Sequence, residues 1–71
     1  MDPKDIWETI VKADEKLKYA TDKLAAMRRQ QATELLQEAL VEAEKIGNEQ
    51  LAEQARTRLR DLGAEGAGPD A

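Results

Sequence analysis

Apolar side chains recur along this chain at alternating steps of four and three, the spacing that lines one side of an α-helix. Ile6, Ile10, Ala13, Leu17, Ala20, Leu24 and Met27 follow it with no glycine or proline among them, which predicts a first helix over about residues 3–27. Asp2-Pro3 marks its start. The Asp2 carboxylate is placed to cap free backbone N–H groups, and proline suits the first helical position because its missing donor is not needed there. Glu8–Lys12, Asp14–Lys18 and Lys18–Asp22 stand four apart on the polar side, where ion pairs are expected. Ala32, Leu36, Ala39, Ala43 and Ile46 mark a second helix over about residues 29–46, and Leu35 and Leu40 widen its stripe so that it meets neighbours on two sides. Leu51, Ala52, Ala55, Leu59 and Leu62 mark a third over about residues 48–62.

The breaks between these stretches differ in kind. Gly47 is suited to the left-handed conformation that ends a helix, and Asn48 to capping the next one. Between Met27 and Ala32 the apolar seam lapses over Arg28-Arg29-Gln30-Gln31 without a residue that stops a helix. Either the chain turns there, or one helix of about 65 Å runs from Pro3 to Ile46. So long a seam exceeds what one short third helix covers, so the turn is expected unless copies of the chain form a long coiled coil. Residues 64–71 are small and polar and read as a disordered tail. Three helices joined by tight turns predict an all-α, antiparallel three-helix domain over residues 1–63. Trp7, Ile10 and Val11 are then expected to meet Val41, Ile46 and Leu51, with Trp7 buried and its indole N–H at the edge.

Composition narrows the function more than the fold. The chain has 71 residues, one domain at most, and lies near the lower size limit for folding without staples. It lacks cysteine, histidine and serine, so disulfides, zinc-thiolate sites and the usual nucleophile–base pairs cannot be assembled. Neither catalytic residues nor a cofactor or metal site is expected. Glu34, Glu38 and Glu42 share one helix face, but the di-iron helix pattern also needs histidine, so a solvated acidic face is the reading. A net charge of −4 opposes binding to nucleic acid, whose affinity comes from neutralised phosphates. Arg28-Arg29 and the Arg56–Arg58–Arg60 stripe lack interleaved aromatics and are expected to pair with Glu53, Asp61 and the acidic second helix. An acidic protein segment suits them better than DNA. No apolar run approaches the roughly 20 residues of a membrane span. The first residues hold no apolar signal core, and the expected compartment is the cytoplasm.

The chain also compares weakly with itself at a period of 35 residues: Leu17, Ala20, Leu24 and Met27 fall on Ala52, Ala55, Leu59 and Leu62, and Lys23 on Arg58. The third helix thereby reads as a copy of the latter part of the first. With Ala20 and Leu24 on one helix and Ala32, Leu36, Ala39 and Leu40 on the next, the stretch from Leu17 to Gly63 resembles the tetratricopeptide repeat. The resemblance implies a helix A–helix B–helix A′ order and a protein-binding role. Met27 stands where that family usually has glycine, and Glu44 where it often has proline. None of the family's peptide-carboxylate-binding residues has a counterpart. One and a half repeats cannot bury their own apolar faces, which points to self-association. The expected function is therefore a non-enzymatic protein-interaction module working by helix packing, as an oligomer or with another helical protein. The alternative is a small transcription regulator or antitoxin-like protein that relies on a separate DNA-contacting partner. The candidate contact residues are Trp7 and Val11, beside the first seam, together with Tyr19, Leu35 and Leu40.

Overall fold

A computed structural model describes the backbone of residues 1–67 and the side chains of residues 1–63. Three helices follow in order, α1 (Pro3–Lys18), α2 (Ala25–Lys45) and α3 (Glu49–Ala67), and the fold is all-α. Helix α2 packs along both others, whereas α1 and α3 meet over a much shorter stretch. The Cα frame measures 35 × 24 × 13 Å, so the molecule is thin in one direction and much of each helix faces solvent. The N-terminal ammonium lies 3.4 Å from Glu42 Oε1, which brings the start of α1 against the end of α2. Arg56 Nη2 lies 3.4 Å from Glu44 Oε2, which joins α3 to the same end of α2. Among the described residues no helix is long and apolar enough to cross a membrane.

The first helix departs most from expectation. It ends at Lys18 rather than near Met27, and Tyr19 closes it with its N–H on Glu15 O at 3.2 Å. The chain then turns through Ala20–Leu24 and re-enters a helix at Ala25, with Leu24 N–H on Thr21 O at 3.0 Å. A heptad seam states which residues would share a stripe if the backbone were helical; it does not hold the backbone there. Tyr19, Thr21 and Asp22 are weaker helix formers, and the short polar side chains of Thr21 and Asp22 compete with helical hydrogen bonds. Arg28–Gln31, expected to be the turn, lies inside α2. Arginine and glutamine rank among the better helix formers, so a gap in the apolar pattern was not a stop.

The second break forms as its residues dictate. Gly47 has φ +71° and donates to Glu44 O at 3.1 Å, while Asn48 N–H donates to Ala43 O at 2.9 Å. These two bonds are the Schellman closure, which satisfies carbonyls that the helix end would leave free. Asn48 Oδ1 accepts the Leu51 N–H at 3.1 Å and caps α3. Gly63 does not end that helix, which continues to Ala67; residues 68–71 of the expected tail lie outside the described residues. Asp2 has the extended backbone of a cap residue but makes no side-chain cap bond. Its carboxylate instead faces Asp5, and hydrogen bonding and repulsion between the two raise the Asp5 pKa above its ordinary value.

Ile6, Ile10, Ala13, Ala32, Leu36, Ala39, Ala43, Ala52, Ala55 and Leu62 are buried. Six of these ten are alanine, so the helices approach closely but enclose little apolar volume. The α2 seam is as expected from Ala32 to Ala43, while Ile46 falls at the helix cap and is 44% exposed. Leu35 and Leu40 both pack against the core, on opposite flanks of that seam. Ile10, Ala13 and Leu17 of α1 correspond in spacing to Ala52, Ala55 and Leu59 of α3, a shift of 42 residues. The 35-residue comparison fails structurally, because Ala20 and Leu24 stand in the turn and Met27 lies in the first turn of α2.

Candidate interaction surface

Trp7 is expected in the core and is found 44% exposed. The reason is rotational. One residue past Ile6, its side chain points about 100° away from the buried stripe, toward the flank that faces α3. Because α1 and α3 meet only briefly, the flank is not closed over. An open hollow of about 730 Å³ remains there, lined by Trp7 with Glu49, Gln50, Leu51, Glu53 and Gln54. Val41, expected as a neighbour of Trp7, is 50% exposed. Val11, one turn along from Trp7, is half-buried.

Arg58 fastens this flank. Its Nε donates to Asp14 Oδ1 at 2.9 Å and Oδ2 at 3.1 Å, across from α3 to α1. Its Nη1 donates to Gln54 Oε1 at 2.7 Å and to the Gln54 carbonyl at 3.1 Å. The guanidinium carbon also stands 5.8 Å from the centroid of the Trp7 ring, within cation–π range. Asp14 was expected to pair with Lys18, and Arg58 with acidic residues of its own or the second helix; the cross-helix pair replaces both. No spacing rule along one helix reveals it, since the partners are 44 residues apart.

Glu49 and Glu53 make the α3 side of the hollow acidic, and both pair with Arg56. Arg56 reaches Glu53 Oε2 at 3.0 Å, Glu44 Oε2 at 3.4 Å and Glu49 Oε2 at 3.8 Å. Its pKa is raised further, first by the hydrogen bond to Glu53. Glu42 is held below the ordinary carboxylate range, first by its hydrogen bond from Lys45 and then by that from the N-terminal ammonium. The row Glu34, Glu38 and Glu42 therefore ends on a paired carboxylate. Met1, at 42% exposure, lies with Ile46 and Gln50 along a neighbouring hollow. Trp7, Met1 and Ile46 thus leave apolar surface open around the start of α3. The sequence pattern singles out Trp7 but not Met1 or Ile46 as a contact residue, because Met1 precedes the α1 seam and Ile46 reads as the last buried member of the α2 seam.

The other candidates lie elsewhere. Tyr19 is 65% exposed, and Lys18 Nζ stands 5.6 Å from its ring centroid. It borders a second hollow, between α1 and α2, with Lys12, Glu15, Lys16 and Arg28. Leu35 lines an adjoining one with Lys16, Gln31, Glu34 and Glu38. The five candidate residues therefore do not form one surface: Trp7 and Val11 belong to the α3-facing flank of α1, Tyr19 and Leu35 border the α1–α2 hollows, and Leu40 serves the core. Compared with protein-family models, with curated proteins and with solved structures, the chain matches none.

Proposed function

We propose that the chain is a non-enzymatic protein-interaction module that acts by helix packing and associates with a second copy of itself. The observation carrying this reading is the half-exposed Trp7 in the wall of the open hollow between α1 and α3. Aromatic side chains with apolar neighbours and a polar rim are the usual anchors of protein interfaces. Self-association is favoured by the thin, alanine-rich core, because a domain of this size gains little net stability from its own burial. Trp7, Met1 and Ile46 would then be covered by the partner copy. A cytoplasmic setting belongs to the same proposal and accords with a cysteine-free chain.

A tetratricopeptide-like architecture is part of this reading only through helix order, a hairpin followed by a third helix. The 42-residue correspondence between α1 and α3 is longer than the 34-residue period of that repeat. Sedimentation equilibrium over a wide dilution series, with helicity followed in parallel, tests the proposal. The expected result is a multimer that loses helicity as it dissociates, and a Trp7→Ala variant that dissociates at higher concentration. A fully helical monomer at every concentration would overturn self-association.

A further inference from the structure

The hollow between α1 and α2 differs from the Trp7 hollow in the sign of its charge. Lys12 and Lys16, like Glu15 and Tyr19, stand four residues apart along one flank of α1, and Arg28 of α2 lines the same hollow of about 590 Å³. Three cations thus surround one carboxylate, in a chain where acidic residues outnumber basic ones. Lys12, Lys16 and Arg28 make no ion pair with any described residue. The other side of the molecule is different, since Arg56 has three carboxylates within 4 Å.

Two polar atoms beside this hollow are buried without a hydrogen-bond partner, Arg28 Nε and Gln31 Oε1. A buried donor on a guanidinium costs free energy when unmatched, and more than a neutral group does. Gln31 lies one turn beyond Arg28 and shares the neighbourhood of Lys16. A half-turn of its terminal amide replaces the unmatched acceptor with a donor. Helix α2 also starts without an acidic residue in its first turn and without a side-chain cap, which adds positive potential to this end. The hollow thus has three cations to one carboxylate in its lining and an unmatched guanidinium donor on its α2 side, while Glu34 and Glu38 border Lys16 only in the adjoining hollow.

We propose that the α1–α2 hollow bounded by Lys12, Lys16, Tyr19 and Arg28 docks an acidic peptide segment of a partner protein, which places carboxylates against the three cations. A peptide fits better than nucleic acid because the positive region is confined to one hollow and the chain as a whole is acidic, so an extended polyanion meets repulsion beyond it. The site does not depend on what covers Trp7.

The test is titration of the isotope-labelled full chain with a short Asp/Glu-rich peptide at physiological ionic strength, followed by NMR. Saturable shifts are expected at Lys12, Lys16, Tyr19, Arg28 and Gln31. A Lys16→Gln/Arg28→Gln variant is expected to bind about tenfold more weakly, with Trp7→Ala unchanged. Lys12→Gln alters an exposed side chain and keeps the test valid if the double variant unfolds; it too is expected to weaken binding. Shifts spread over every basic residue without saturation would overturn the proposal, as would unchanged affinity in Lys12→Gln. Tighter binding of a single-stranded oligonucleotide than of the peptide would overturn the choice of ligand.

Discussion

Gly47 shows how much one residue contributes when backbone and side chain make different demands. A Cβ added there meets nothing within 4 Å, so space is not the constraint. The constraint is φ +71°, which an L side chain adopts at a cost of about 1 kcal/mol. Gly47→Ala is therefore expected to lower the thermal midpoint by about 4–8 °C in a domain of this size. A scan followed by circular dichroism measures it; an unchanged midpoint would mean that the Schellman closure contributes nothing. Arg58 makes the complementary point. Its role comes from reaching Asp14 on another helix while its guanidinium stands over the Trp7 ring, and nothing within α3 anticipates it.

Helix boundaries followed two different signals, and only one was legible. Gly47-Asn48 combines a residue that tolerates positive φ with one that caps, and the break falls there. The Ala20–Leu24 turn carries neither signal, and the apolar period continues straight through it. At that point weaker helix propensity and the availability of α2 as a partner prevail over a pattern that fits a longer helix. The α2 seam is secured by small residues, so enlarging one tests the packing. Ala39→Leu is expected to cost about 1–3 kcal/mol by forcing neighbouring helices apart, whereas Val41→Ala on the exposed face should be near neutral. Urea midpoints of the two variants decide it.

For the molecule as a whole, pH acts on contacts that hold the ends of helices together. The Glu42 pKa is lowered by Lys45 and the N-terminal ammonium, so its ionised form is favoured by folding. Its contribution is present above the ordinary carboxylate range and is lost as pH falls through the lowered folded value. Asp5 has the opposite sign: with a raised pKa, its protonated form is favoured by folding, and its contribution is lost as pH rises. Glu42→Gln is accordingly expected to lower the urea midpoint at pH 7 and leave it little changed at strongly acid pH. Asp5→Asn should raise the midpoint at pH 7. Reversed signs in the two variants would contradict the assigned contacts.

The sequence alone determined the all-α class, the α2 stripe from Ala32 to Ala43, and the break at Gly47-Asn48, because each depends on spacing or backbone chemistry within a few residues. It also pointed to Trp7 as a residue beside the seam, though not to its exposure. Tertiary structure decided where α1 ends, how briefly α1 meets α3, and which cations find carboxylates. The physical reason is shared: each of these depends on distances between segments far apart in the chain. Whether Trp7 lies in a core or in an open wall is set by how closely α3 approaches, and local periodicity carries no measure of that distance.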